Sequence, residues 1–405
     1  MEHESFDRKD FFLKVLRSGL KNDSIFDVKI VKKSHNDKKG QNFLSNLFAV
    51  TLEYTHLLSK NGSSNAIKSS VNLFIKKPLS DKTHALLFEM DVFDIESQIL
   101  SHVLPEVERI VGVKIGPKFI YQSKEPSAII MEDLGQFKFK IKDQMIGLSK
   151  DHLGMVIETL AKYHAGSIAL EERQPSFLQQ FRQSLFSTQT HPNFLGMLAT
   201  SLEDLARNML SWPDVKCVEA GYKLQNISKN IVESSIKNID YDEDEFCVLN
   251  HGDCWINNIM FRENDANEPL EVRLIDFQVP VWTSPAIDLL YLLGLCPEFE
   301  IMYILDDFFL EKYLKILKNT MEKLDCKRKP PTFDELKLSM WKRRSLALIS
   351  GLVFYPKIAI KAEDVGTIKD VLDNQMKEIN IYSTPEVVEK LTKLIPLLEK
   401  KGYLD

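Results

Sequence analysis

A change of texture near Lys150 constrains this chain more than any other feature. Before it, "IFDVKIVKK" (Ile25 to Lys33), "LFAVTLEYTHLL" (Leu47 to Leu58) and "SVNLFIKK" (Ser70 to Lys77) alternate or are rich in β-branched and aromatic residues. The stretches between them, "SHNDKKGQN" and "SKNGSSN", have turn compositions, so an antiparallel meander is predicted. A short amphipathic helix over Phe6 to Leu20 precedes it. A helix from about Thr83 to His102 follows, with Leu86, Leu87, Met90, Phe93 and Leu100 at helical spacing and Pro105 closing it. Two further strands, "KFIYQS" and "SAIIME", end this part.

After Lys150 the patterns are long and helical. "DHLGMVIETLAKYHAGSIAL" opens on an aspartate, Asp151, at the expected N-cap, and "TPEVVEKLTKLIPLLEKKGYL" places Thr384 as cap and Pro385 as first helical residue. This region is broken once, between about Phe246 and Val279, by short β-rich pieces. No internal repeat or low-complexity segment stands out. A chain of 405 residues exceeds the roughly 250 to 300 at which single cores stop growing. The expectation is an α+β protein of two lobes, an antiparallel sheet with one main helix in the first and mostly helices in the larger second.

Composition removes several function classes. The formal charge is −6, with lysines interspersed among acids, so no nucleic-acid partner is expected. The five cysteines are scattered and form no C-x-x-C pair, which predicts a reducing, cytoplasmic setting without disulfides or a zinc cluster. The charged N-terminal stretch predicts no signal peptide. The longest apolar run, Ser345 to Tyr355, is about half of the roughly 20 residues that a membrane span needs.

The chemistry concentrates in the β island. "IMFR" (Ile259 to Arg262) and "LEVRLIDF" (Leu270 to Phe277) read as two strands joined by the polar turn "ENDANEP". Such a hairpin returns Asp276 to the neighbourhood of Asp253 and Asn258. Two carboxylates and an amide oxygen at one point suit magnesium, which takes oxygen ligands, keeps waters and is held by few carboxylates plus substrate phosphates. The carboxylate left over can orient an acceptor hydroxyl. His251, Asp253 and Asn258, followed by Asp276-Phe277, reproduce the H-x-D-x-x-x-x-N plus D-F-x arrangement of phosphoryl-transfer enzymes on the protein-kinase plan.

"HGDCWINNIMF", "LIDFQ" and "SPAIDLLYLL" together resemble the ecdysteroid kinase-like family, whose catalytic region is choline-kinase-like and whose broader relatives are aminoglycoside phosphotransferases and choline kinases. The resemblance runs from about Gly40 to at least Leu293. It implies a bilobal protein-kinase-like fold, with a nucleotide-binding lobe over residues 1–134 and a helical lobe carrying the catalytic loop and acceptor site over 135–405. It implies ATP and Mg2+ as cofactors, Asp253 as base, and Asn258 and Asp276 as metal ligands. Lys76 would reach the nucleotide, paired with Glu96. Asn42 and Ser45, in "KKGQNFLS", would cover the phosphates, and Glu132 and Leu134 would offer backbone groups to adenine. Asp288 would anchor the loop backbone. His164, on the apolar face of its helix with Val156, Leu160 and Ile168, reads separately as a packed histidine.

Two choices stay open on sequence. Lys77 neighbours Lys76 but points to the other face of its strand, and Glu89 shares a helical face with Glu96. Asn257 receives no role. Gly252 and Gln278 replace the arginine and final glycine of protein-kinase motifs, and too little chain follows for peptide docking. The expected partner is therefore a small hydroxylated acceptor, with no membrane and no obligate protein partner. Trp255, Trp282 and the stretch from about Gln174 to Leu210 are expected to wall its pocket. An ecdysteroid-like alcohol leads; a xenobiotic alcohol, a choline or ethanolamine type of acceptor, and a nucleotide-binding pseudokinase are the alternatives.

Overall fold

The structure, a computed structural model, describes residues 9–35, 45–60, 63–78, 92–182, 184, 186–188, 190–238, 241–358 and 380–405. Gly40, Asn42 and Glu89 lie outside the described residues, and of Ser45 only the backbone is described.

Helix α1 (Lys9–Leu20) buries Phe12, Val15 and Leu16, one apolar stripe at helical spacing. It packs on one face of a five-stranded antiparallel sheet of order β1-β2-β3-β5-β4, made of β1 (Ile25–His35), β2 (Ser45–Lys60), β3 (Ser63–Pro78), β4 (Phe119–Lys124) and β5 (Ser127–Glu132). The second and third strands run longer than their composition predicts. Their ladder continues to Lys60 opposite Ser63, so the "SKNGSSN" stretch is mostly paired strand. Main-chain pairing across a long hairpin outweighs the local turn preference.

The sheet separates two cores, and strand periodicity decides which residue serves which. Leu73 and Ile75 of β3 and Ala128 and Ile130 of β5 face α1. Ile129 and Met131 belong to the other core, with Phe74 of β3 packed against it, and that core continues through the rest of the molecule. Lys76 shares the parity of Phe74, which directs it away from α1.

Helix α2 (Val92–Gln98) passes through a π turn, Ile99–Val103, into α3 (Leu104–Val111), which Gly112 ends in the left-handed conformation. The helix therefore does not close at Pro105. The proline sits in the first turn of α3, where a missing N–H is tolerated.

The second lobe is built around α4 (Lys150–Arg173), which contributes Tyr163 and His164 to the core. Its N-cap is Ser149, whose hydroxyl accepts from His152 N; Asp151 lies in the first turn, favourably placed for the helix dipole. Helices α5 (Pro192–Met209), α6 (Val215–Ser228) and α7 (Ile231–Lys237) follow. The β island then forms two small sheets. Strand β7 (Val248–Asn250) pairs with β10 (Val281–Thr283), while β8 (Ile259–Glu263) lies between β6 (Lys140–Ile141) and β9 (Pro269–Leu274). Helices α8 (Ala286–Leu295), α9 (Asp306–Lys323), α10 (Phe333–Lys342) and α11 (Arg344–Leu348) lead through a π turn, Ile349–Phe354, into α12 (Tyr355–Ile358). Helix α13 (Pro385–Lys400) has Thr384 as its N-cap and Pro385 in its first turn. Among the described residues no helix is long and apolar enough to cross a membrane.

Candidate active site

The loop between β7 and the 3-10 turn Ile256–Asn258 is fixed from below. Asp288, in the first turn of α8 and fully buried, accepts from His251 N at 2.7 Å, Gly252 N at 2.9 Å and His164 Nε2 at 3.1 Å. Burial keeps the Tyr313 phenol protonated, and its hydroxyl meets His164 Nδ1 at 2.8 Å. Asn250 spreads its amide over the carbonyls of Val281, Thr283 and Ser284 and accepts from Asp288 N through Oδ1. Gly252 has φ +83°, and a Cβ there would overlap the Val279 carbonyl, so no larger residue fits this bend.

The same loop is stitched to the end of the β8–β9 hairpin. His251 Nε2 donates to Ile275 O at 3.0 Å, and burial lowers its pKa, so the ring is neutral and Nδ1 accepts from Asp253 N. Ile275 N donates to Asn258 O at 3.0 Å. Asn258 Nδ2 donates to both Asp253 O and Asp253 Oδ2 at 2.9 Å, which turns its own Oδ1 away, with no hydrogen bond to it. Asp276 follows with φ +69°, a left-handed residue that breaks the strand and swings its carboxylate into the cleft.

The sheet lobe supplies the opposite wall. Lys76 Nζ lies 2.6 Å from Glu96 Oε2 and 2.7 Å from Asp276 Oδ1, so one ammonium joins the two lobes. Of the neighbouring lysines it is Lys76, 4% exposed, that turns inward, and Glu96, 1% exposed, is its helix partner. Burial opposes the charge on Lys76, but Asp276 and Glu96 overcome it and raise its pKa. Burial likewise raises Glu96, and the Asp276 charge adds to this while Lys76 opposes it.

Asp253 faces this group from the loop. Burial, reinforced by the Asp276 charge, raises its pKa from 3.8 to about 7, against hydrogen bonds from Tyr291 and Asn258. Tyr291 escapes a reading of the sequence. It lies one turn after Asp288 on α8, so one helical face gives Asp288 to the loop backbone and Tyr291 to the Asp253 side chain. The i, i+3 spacing in "IDLLY" is the signal that finds it. Its ring meets Phe354 edge-on at 6.2 Å, and Phe354 in turn lies 6.5 Å from Phe194 of α5.

The remaining expected residues fall as follows. Asn257, without a role on sequence, donates to Gln144 Oε1 at 3.1 Å and ties the loop to the segment before α4. Glu132 N bonds Lys118 O, its Oε1 accepts from Lys118 N, and Asp133 N bonds Asn72 O, so the chain leaving β5 is held against β3 and the stretch before β4. Leu134 is buried. Trp255 is half-buried beside Asp253, but Trp282 is not a wall of an open pocket. It is 2% exposed, because pairing of β10 with β7 carries its ring into the core. A hollow of about 650 Å³, lined by Lys114, Asp151, Lys162, Glu271, Arg273 and Lys312 among others, shares no residue with this site.

The residues fit a divalent cation. Among the described residues Lys76 is the one cation facing the carboxylates of Glu96 and Asp276, with Asp253 nearby, which leaves a surplus of negative charge there. Among the described residues no hydrogen bond reaches Asn258 Oδ1 or Asp276 Oδ2, and oxygens of this kind are the donors that magnesium takes. Among the described residues no group of three or more His, Cys, Asp or Glu is arranged to hold a metal ion by itself.

No curated protein matches the sequence at a significant level. The profile of the ecdysteroid kinase-like family matches residues 39–326, a span that holds Lys76, Glu96, the Asp253 loop, Asp276 and Asp288. This is a kinase-like family, and its fold is the bilobal α+β arrangement described above. The chain belongs to the ecdysteroid kinase-like family.

Proposed function

We propose that the protein is an ATP-dependent small-molecule kinase that transfers the γ-phosphoryl group to a hydroxyl of an ecdysteroid-like or other small alcohol. The observation that carries this reading is the single buried ammonium of Lys76, shared between Glu96 of the sheet lobe and Asp276 beside the Asp253 loop. A structural ion pair needs one partner; two lobes sharing one cation make a cleft suited to phosphates.

In this reading residues 1–134 hold the nucleotide and 135–405 hold the acceptor. Lys76, fixed by Glu96, contacts the α and β phosphates, Asn42 and Ser45 cover them, and the backbone at Glu132 and Leu134 receives adenine. Asn258 and Asp276 would hold magnesium, whose charge would neutralise the phosphates. Asp253 orients the acceptor hydroxyl and takes its proton as the oxygen–phosphorus bond forms and the bond to the β-phosphate oxygen breaks, releasing ADP. A carboxyl with a pKa near 7 is suited to accept that proton at neutral pH. Tyr291, Phe354 and Phe194 offer the acceptor an apolar wall next to Asp253. The five free cysteines suit a reducing, cytoplasmic setting.

The test is a mass-shift screen with ATP and magnesium across steroid, amino-alcohol and plant-alcohol libraries, looking for one added phosphoryl group. The expected product is a phosphorylated hydroxysteroid or similar rigid alcohol. Nucleotide binding without product from any acceptor would replace this reading with that of a pseudokinase.

A further inference from the structure

Lys357 is a cation for which the proposed mechanism has no use. Its Nζ lies 3.2 Å from the Met197 thioether and 3.4 Å from the Ser201 hydroxyl, and among the described residues no carboxylate pairs with it. An ammonium has three donors, and a thioether is a weak acceptor. Ser201 is further engaged with Tyr382, and the two acids of α5, Glu203 and Asp204, are both paired with Arg207, at 3.7 and 3.0 Å. Burial with no compensating charge lowers the Lys357 pKa to about 8. Among the described residues the buried cations Lys76 and Arg343 each have a carboxylate at hand, whereas Lys357 has none.

The position of Lys357 gives this imbalance a direction. Phe354 and Lys357 are one turn apart on the same helical stretch, and their contacts on α5 are Phe194, then Met197 and Ser201, at i, i+3 and i+7. The row therefore runs from Asp253 through Tyr291 and Phe354 to Lys357. Tyr291 to Phe354 covers 6.2 Å, and one helical turn onward adds about 5 Å. A span on the order of 10 Å matches a fused-ring or medium-chain alcohol better than a two-carbon one.

We propose that Lys357, with Ser201, forms the far end of the acceptor pocket and receives an electron-rich oxygen, a carboxylate best and a keto group less well, carried by the acceptor at the end remote from its reacting hydroxyl. The assignment rests on the kinase reading for where the hydroxyl lies, but it makes a separate claim about recognition. A donor left unpaired when the oxygen is missing penalises the deoxygenated analogue, which makes Lys357 a specificity-determining residue.

The probes are matched pairs: hydroxysteroids with and without a distal keto or carboxylate group, and ω-hydroxy fatty acids with the corresponding alkanols. Turnover with ATP and magnesium and equilibrium binding by calorimetry are both measured. The wild type is expected to favour the oxygenated member by roughly tenfold or more in KM or Kd, and Lys357→Met to lose that preference without a fall in melting temperature. Lys357→Gln, which keeps a donor, is expected to retain part of it and serves in place of a Lys357→Met that fails to fold. Preference in binding without turnover would keep the Lys357 assignment and remove the kinase reading. Equal affinity for the two members, no binding of either, or a preference that survives Lys357→Met overturns the inference.

Discussion

Two carboxylates serve opposite sides of one loop, Asp288 fully buried and Asp253 half-buried, and their environments differ. Asp288, on the floor of the loop, has the backbone of His251 and Gly252 and the His164 ring all directed at it. Asp253, on the cleft side of the same loop, is pressed by the Asp276 charge and, among the described residues, its side chain receives hydrogen bonds from Tyr291 and Asn258 alone. Burial alone therefore does not mark a group for chemistry. What differs is the supply of donors: the floor is satisfied and rigid, whereas the cleft is short of positive charge and of donors, and a substrate, its phosphates and a cation can complete it.

The largest effect is expected where the cleft is altered. Asp253→Asn should lower turnover by about a thousandfold, the loss expected of a missing base, while leaving the fold intact. Its stability relative to the wild type should rise with pH. The folded-state pKa of Asp253, about 7, lies above its ordinary 3.8, so the folded protein holds a proton that the unfolded chain releases. Stability from this group is present below about pH 4 and is lost as pH rises through about 7, by at most about 4 kcal/mol at about 1.4 kcal/mol per pH unit, and less because the carboxylate opens on the cleft. The asparagine variant escapes this loss. Its melting temperature should exceed that of the wild type at pH 8 and lose the advantage at pH 4 to 5. A variant that is inactive and also melts lower at pH 8 would erase the distinction between floor and cleft.

The floor should respond in the reverse order. Asp288→Asn leaves one oxygen for three donors and opposes one of them with its own N–H groups, so a loss of about 2 to 4 kcal/mol in stability is expected. Chemical denaturation measures it, and activity should fall because the loop loosens. Full stability with a selective loss of activity would instead move Asp288 into the chemistry.

How much of this contrast is legible in the sequence depends on the period of each element. The two-residue alternation of β3 separates Leu73 and Ile75 from Phe74 and Lys76, and a two-stranded turn is enough to return Asp276 to Asp253. Helix α8 offers no such guide: "AIDLLYLLGL" is buried on every side, so its pattern cannot say which face meets the loop, and Tyr291 is lost among leucines. Trp282 misleads for the opposite reason. A tryptophan near the loop reads as a pocket wall, but its depth is set by the pairing of β10 with β7, which local composition does not encode. The partner of Asn257, Gln144, and the neighbours of Lys357, Met197 and Ser201, are long-range in the chain and leave no spacing to read.

The smallest effect sharpens the comparison most, because Tyr291 spans it. It stands one helical turn from Asp288 yet bonds Asp253, so Tyr291→Phe removes a donor from the cleft without touching the floor. The phenylalanine keeps the ring against Phe354 and leaves no orphaned polar atom of its own, and Asp253, open on one side, can take water instead. Stability should therefore change by less than about 1 kcal/mol, while the loss of one of two bonds orienting the carboxylate should lower kcat roughly three- to tenfold. The KM for ATP should stay where it is, since no nucleotide contact is altered. A fall in melting temperature as large as that of Asp288→Asn would make Tyr291 part of the floor, whereas a changed kcat on an unchanged fold assigns its hydroxyl to the cleft.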